Sequence, residues 1–120
     1  MLKFSKANTK LKQLENVDEL SPYLQNKRKV YSFDLLSGFS CPFAKECLSK
    51  VHIIDGRKKI KDGPDTKFRC FSASQEVVFP AVYDRRKANY DGVKAIANSL
   101  DCAYAISEAL PENLGIGRIH

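Results

Sequence analysis

The residues of this sequence most able to do chemistry are its four cysteines. Cys41 and Cys47 have five residues between them, Cys70 follows after an intervening segment, and Cys102 lies farther along. The first residues are charged and lack the apolar core of an export signal, so structural disulfides are disfavoured and metal or redox chemistry is favoured. Zinc ribbons space their paired cysteines about two to four residues apart, and neither gap here matches. Spacing alone therefore leaves cluster binding, zinc binding and reduced, buried cysteines all open.

The first two cysteines follow an apolar run at 30–36, which predicts a buried strand. The loop after this strand offers backbone N–H groups that can donate to the sulfurs of an iron–sulfur cluster. Lys45, Lys67 and Arg69 would offset the negative charge of thiolates bound to such a cluster. The residue types around the cysteines are therefore compatible with cluster binding.

The elements that must position these cysteines are both helices and strands. The predicted helices cover residues 5–15, 80–89 and 91–110, and the predicted strands cover 30–36, both arms of 51–60, and 115–120. The Asp55-Gly56 pair is the favoured type I′ hairpin turn, because both central residues need positive φ. The sequence therefore predicts a helix-rich α/β fold with a few-stranded sheet and a β-hairpin inserted between Cys47 and Cys70. The last strand presents an edge that must pair within this chain or with another.

The length and charge of the chain limit the classes of protein to which it can belong. It has 120 residues and a mass of 13.5 kDa, which suits a single domain over residues 1–120. No apolar run approaches the roughly 18–20 residues of a membrane helix, so we expect a cytoplasmic protein with no membrane partner. Residues 1–60 hold 12 Lys or Arg and 6 Asp or Glu, whereas residues 61–120 hold 8 of each. This basic first half predicts either an anionic partner or a solvated charged face.

The basic residues cluster in two places, a turn and the hairpin: 27–29, and Arg57, Lys58, Lys59 and Lys61. Phosphate contacts need little more than such clusters. A basic nucleic-acid-binding module, with structural or zinc-bound cysteines, is therefore the alternative hypothesis. Aromatic residues are not interleaved with these cations along the sequence, which disfavours base stacking.

Two longer runs carry a family resemblance. Residues 33–47, FDLLSGFSCPFAKEC, and residues 62–76, DGPDTKFRCFSASQE, resemble segments of a phage protein family called gene product eighty-eight. Proteins of that family carry a Cys-Pro-Gly-Ala segment, a second nearby Cys, and then a Cys followed by an aromatic residue. The resemblance implies a three-cysteine iron–sulfur site on a radical-SAM-like βα barrel. It covers most of this chain but only the front part of the family's length, and Phe43 stands where the family has Gly.

By this resemblance the cluster ligands are Cys41, Cys47 and Cys70, and the cofactor is a [4Fe–4S] cluster. A fourth iron without a cysteine would be open to a small ligand or a partner. The implied roles are electron transfer, sensing or a radical-SAM-like half-site, in the host cytoplasm if the protein is phage-encoded. The implied partner is a second copy or a second, barrel-completing chain. Cys102 lies in the middle of a predicted helix, which is typical of a core residue. The alternative is that Cys102 binds the fourth iron of the cluster.

No catalytic motif accompanies the cysteines. The sequence has no Gly-rich phosphate loop and no paired-carboxylate motif. His52 falls in an arm of the hairpin, and His120 is the final residue. Residues 84–87, Asp-Arg-Arg-Lys, predict a solvent-facing helix surface. We therefore assign no catalytic residue.

Overall fold

The computed structural model describes residues 2–41 and 43–120, and it confirms a small α/β protein. The strands are β1 (Ser5–Lys6), β2 (Lys29–Phe33), β3 (Lys50–Ile54), β4 (Arg57–Lys61) and β5 (Leu114–Ile119). The α-helices are α1 (Phe71–Val78), α2 (Pro80–Lys94) and α3 (Ser99–Glu108), and two short 3₁₀ helices cover Leu11–Asn16 and Asp18–Leu24. The described residues thus form five helices and two small sheets, with no closed barrel among them.

Contacts within the chain divide it into two compact units. We call residues 1–34 and 91–120 the terminal unit, and residues 35–90 the cysteine unit. The cysteine unit contains the three predicted cluster ligands, Cys41, Cys47 and Cys70. A single iron–sulfur-binding domain over residues 1–120 stays a prediction.

The terminal unit is built on a three-stranded sheet in the order β1-β2-β5. β1 pairs antiparallel with β2 through Ser5 and Ser32, and β5 pairs parallel with β2 so that Ile119 lies beside Phe33. β2 is buried from Val30 to Phe33, as its apolar run predicts for a central strand, but it ends at Phe33 rather than at the predicted residue 36. The predicted last strand therefore pairs inside the chain. The edge of β5 that faces away from β2 has no strand partner among the described residues.

The helix predicted over residues 5–15 is wrong in its first half. Ser5–Lys6 forms a strand because these residues pair with β2, and this long-range pairing overrides the local helical spacing. The helical turn begins only at Leu11, whose N–H donates to Asn8 Oδ1 at 2.8 Å. The Asn8 side chain thus satisfies the first N–H of the 3₁₀ helix, although the N-cap residue, Lys10, makes no side-chain cap bond.

The helices predicted over residues 80–89 and 91–110 also have different bounds. Pro80 begins α2, as predicted from its missing N–H, but this helix continues to Lys94. The next helix, α3, begins only after Asn98, whose Oδ1 accepts a bond of 2.9 Å from Asp101 N. The chain is therefore broken into two helices at Asn98, a preferred N-cap residue.

The cysteine unit packs the β3–β4 hairpin against α1. Asp55 and Gly56 have φ values of 53° and 76°, which confirms the predicted type I′ turn. The core consists of four buried side chains, with partly buried neighbours around them: Leu36, Val51, Ala73 and Tyr83. Val51 and Ile60 pair across the hairpin and contact this core. Because side chains alternate along a strand, the residues next to them belong to the opposite face of the hairpin.

Candidate cysteine site

A buried serine, Ser49, lies where the three cysteine-bearing segments meet. Its own N–H donates to Cys47 O at 2.8 Å. Cys70 N–H donates to Ser49 Oγ at 3.4 Å, and Ser37 Oγ donates to Ser49 O at 3.3 Å. The segments before Cys41, around Cys47 and before α1 are therefore held together by backbone and hydroxyl groups of one residue.

The turn before Cys41 passes close to Ser49 at Gly38. A Cβ at Gly38 would lie 2.4 Å from Ser49 O, and the residue has φ +73°, so both space and backbone conformation require glycine there. Gly38 O accepts a bond of 3.2 Å from Cys41 N. The turn that carries Cys41 is thus fixed closely against Ser49. Pro42, part of the motif that carries the family resemblance, lies outside the described residues.

The thiols of the three cysteines are free and differ in exposure. Cys41 is exposed, whereas Cys47 and Cys70 are half-buried. Cys70 contacts the core and immediately precedes α1. Within residues 2–41 and 43–120, no three side chains of Cys, His, Asp or Glu are grouped closely enough to hold a metal ion. The backbone thus brings the three segments together, but the thiols themselves are not assembled as ligands.

A buried ion pair between Glu76 and Arg86 contacts the turn before Cys41. The Glu76 carboxylate accepts a bond from Ser37 N at 3.1 Å. Its other oxygen lies 3.3 Å from Ser37 Oγ, whose single proton is shared between Glu76 and Ser49 O. The carboxylate also pairs with Arg86 Nη1 at 2.8 Å. Arg86 reaches back to α1, donating to Ser72 O at 3.2 Å. Glu76 therefore ties the turn before Cys41 to the helix that begins directly after Cys70.

The burial of Arg86 corrects the prediction that residues 84–87 are a solvent-facing helix surface. Arg86 is buried, and it shares one face of α2 with the buried Tyr83 and Asn89. These three positions recur every three residues, which is the signal that one face of α2 is covered. The burial of Arg86 is not evident from the sequence, because this residue stands inside a run of charged residues that is typical of an exposed surface.

Two of the three cations proposed to offset a cluster's charge already have carboxylate partners. Lys67 pairs with Glu46 at 3.0 Å, and Arg69 pairs with Asp62 at 3.0 Å. Lys45 is exposed and has no ion pair within the described residues. Lys45 is therefore the cation that remains available at this site.

Asp62 connects one of these pairs to Ser49. Its carboxylate accepts bonds from Arg69 and, at 2.9 Å, from Ser49 Oγ. Hydrogen bonds from Arg69 and then from Ser49 lower the pKa of Asp62 below its ordinary value of 3.8. The Ser49 hydroxyl donates its proton to Asp62, so the lone pairs of Ser49 Oγ are free to accept the bond from Cys70 N–H.

Three phenylalanines near the cysteines are exposed. Phe43 is 94% exposed, Phe71 is 75% exposed and Phe68 is 57% exposed. Each lies within two residues of Cys41 or Cys70 along the chain. The segments that carry Cys41 and Cys70 therefore each present exposed apolar side chains.

The terminal unit holds the remaining predicted residues of interest. Cys102 lies in α3 and is half-buried rather than part of the core. His120 Nδ1 lies 3.5 Å from Asp34 Oδ1, and Arg118 Nη2 lies 3.3 Å from the same oxygen. Asp34 directly follows β2, Arg118 lies within β5, and His120 directly follows β5. Sequence reasoning noted His120 but not its carboxylate partner.

Together the fold and the site describe a small α/β protein with a cysteine-bearing unit built around a buried serine and a buried ion pair. The chain belongs to the Gene product 88 family, which matches residues 2–120. This match supports the predicted assignment to a phage gene-product family. Among curated proteins and solved structures, none matches the chain significantly. No helix in the described part of the chain has the length and apolar character needed to cross a membrane.

Proposed function

We propose that the cysteine unit binds a [4Fe–4S] cluster through Cys41, Cys47 and Cys70. The observation that supports this most directly is the meeting of their three backbone segments around Ser49. Cys70, which is 21 residues from Ser49 in sequence, is held at the same point as the segments of Cys41 and Cys47, and all three thiols are free. Iron–sulfur clusters in proteins are held by thiolates of this kind.

The surroundings of the cysteines suit an anionic cluster. Cys70 precedes the N-terminus of α1, where the helix dipole favours negative charge. Lys45, which has no ion pair among the described residues, would offset part of the negative charge of the bound thiolates. Three cysteine thiolates in this environment are therefore suitable ligands for a [4Fe–4S] cluster.

The proposal includes a local rearrangement. Because the thiols are not grouped as ligands in the described residues, cluster assembly would draw the exposed Cys41 inward toward the other two sulfurs. Coupling of metal binding to local folding is common, since a complete site rarely exists before the metal arrives. Glu76 and Ser49 would hold the two ends of the moving loop, which follows Ser37 and precedes β3.

Three protein ligands would leave one iron open to a small molecule or a partner's side chain. This supports a role in electron transfer, sensing or a radical-SAM-like half-site, as the family resemblance implies. In this proposal a second chain, either another copy or a different protein, pairs with the free edge of β5 and extends the sheet toward a βα barrel. When bound, the cluster supplies electron-transfer chemistry.

The test is anaerobic reconstitution of the full chain with iron and sulfide. Wild-type protein is expected to turn brown, absorb at about 400 nm and retain about four irons and four sulfides per chain. Cys41→Ser, Cys47→Ser and Cys70→Ser are each expected to lose most of the iron. Cys102→Ser is the matched control and is expected to keep it.

Two outcomes would contradict the proposal. Wild-type protein that stays colourless after reconstitution excludes the cluster, whether or not it binds zinc. Equal iron loss in Cys102→Ser and in the other three variants excludes the assigned ligand set. Circular dichroism of each variant before reconstitution separates loss of the cluster from loss of the fold.

A further inference from the structure

The hairpin carries four of its five cations on one face. The strand register places Lys50 opposite Lys61, His52 opposite Lys59, and Ile54 opposite Arg57. These six side chains share the face opposite the one that bears Val51 and Ile60. Lys58 belongs to the core-bearing face instead, where its Nζ lies 4.8 Å from the Tyr83 ring centroid. We call the Lys50–Lys61, His52–Lys59 and Ile54–Arg57 surface the basic face.

Among the described residues, no carboxylate pairs with the exposed cations of the basic face. Arg57, Lys59 and Lys61 are exposed, and none forms an ion pair with any carboxylate in the described residues. The carboxylate of Asp62, next in the chain, is engaged by Arg69 and Ser49. Like charges directly opposite each other, as at Lys50 and Lys61, destabilise a strand pair. A bound polyanion would relieve this repulsion.

Aromatic rings lie beside the same face. The Phe39 and His52 ring centroids are 5.6 Å apart in an edge arrangement, and the Phe39 and Tyr90 centroids are 5.8 Å apart. Lys50 Nζ lies 5.0 Å from the Phe39 centroid. The tertiary structure therefore places aromatic rings next to the cations, although the sequence does not interleave them.

We infer that the basic face binds single-stranded nucleic acid. Lys59 and Lys61, two residues apart on one strand, are separated by about 7 Å along it and would contact neighbouring phosphates. The bases would lie toward His52 and Phe39. A positive surface that follows the backbone, bordered by aromatic rings, is how proteins bind single strands without sequence preference. This inference does not depend on the iron–sulfur proposal, because it uses none of the cysteines.

The test is fluorescence anisotropy of a labelled oligothymidylate of about 15 nucleotides, titrated with the full chain at several salt concentrations. Lys59→Ala/Lys61→Ala is expected to weaken binding roughly tenfold and to reduce the magnitude of the log–log salt slope by about 1.4, since each single-strand phosphate contact contributes about 0.7. Lys10→Ala/Lys12→Ala removes the same charge from exposed positions outside the hairpin. It is expected to stay within about twofold of wild type.

Further variants test the assignment of the face. Lys59→Arg/Lys61→Arg is expected to retain wild-type binding, because it keeps both charges. His52→Ala is expected to weaken binding severalfold while leaving the salt slope unchanged. Equal losses in Lys59→Ala/Lys61→Ala and Lys10→Ala/Lys12→Ala would overturn the inference. A duplex of the same length bound as tightly as the single strand would overturn the choice of single-stranded nucleic acid.

Discussion

The Glu76 carboxylate and the Arg86 guanidinium, one on α1 and the other on α2, approach to 2.8 Å in the interior of the cysteine unit. The same carboxylate accepts the N–H of Ser37, which begins the turn before the exposed Cys41. The pair therefore couples helix packing to the position of the proposed cluster loop. Its Arg86 Nε atom is buried without a hydrogen-bond partner among the described residues, so the pair depends on its remaining contacts.

Loss of one member of this pair is expected to be costly. Arg86→Met leaves Glu76 buried without its counter-charge, and we expect it to lower the free energy of unfolding by about 3–5 kcal/mol. Lys67→Ala, which breaks the exposed Lys67–Glu46 pair, is expected to cost less than about 1 kcal/mol. Urea unfolding monitored by circular dichroism measures both. Equal effects of the two variants would show that burial does not set the strength of the Glu76–Arg86 pair.

The double variant Glu76→Leu/Arg86→Met separates the cost of an unpaired charge from the value of the pair. It is expected to be less destabilised than the sum of its two single variants, because no charge remains buried. A double-mutant cycle that gives simple additivity would contradict direct coupling between these residues.

Asp62 gives the cysteine unit a pH dependence of stability at acidic pH. Its pKa is lowered in the folded state by the bonds from Arg69 and Ser49, so its ionised form stabilises the fold. This stabilisation is fully present above the ordinary pKa of 3.8 and is lost as the pH falls through the lower folded value.

The variant Asp62→Asn is therefore expected to be less stable than wild type at pH 7, with a difference that shrinks once the pH falls below about 4. Urea unfolding at a series of pH values measures this difference. Asp65→Asn removes the same charge from a nearby exposed carboxylate that has no ion pair among the described residues, and it serves as the control. A constant difference between Asp62→Asn and wild type at all pH values would contradict the assignment.

Gly38 and Gly56 have nearly the same φ but different surroundings. A Cβ at Gly56 would meet nothing within 4 Å, whereas one at Gly38 would lie 2.4 Å from Ser49 O. Gly56→Ala is therefore expected to cost about 1–2 kcal/mol, from backbone conformation alone. Gly38→Ala is expected to cost about 1–3 kcal/mol more, from the added clash. Thermal unfolding measures both, and equal costs would mean that the turn at Gly38 moves freely away from Ser49.

Ser49 is expected to matter for stability as well as position. Ser49→Ala removes the acceptor of the Cys70 N–H and the donor to Asp62, and we expect a loss of about 1–3 kcal/mol. Ser74→Ala is the matched control in the interior of α1, where alanine is the better helix former, and it should be neutral or slightly stabilising. Urea unfolding compares the two. A Ser49→Ala protein as stable as wild type would show that the three segments are held together by other contacts.

Local sequence predicted the elements whose causes are local. The hairpin follows from Asp55-Gly56 because those residues readily adopt positive φ, and the start of α2 follows from Pro80 because proline lacks an N–H. The apolar run that forms β2 predicts a central strand because such a run must be covered on both faces. The candidate cysteines and the basic residues of the hairpin could also be named directly from their types.

Other features depend on residues that are distant in sequence. Ser5 forms a strand because it meets Ser32, and Arg86 is buried because Glu76 neutralises it in the interior. Phe39 borders the basic face because the chain returns past His52. The meeting of three cysteine-bearing segments at Ser49 has the same origin. Propensity and turn chemistry act over a few neighbouring residues, whereas ion pairs, strand pairing and burial are decided by what the folded chain brings within a few ångströms.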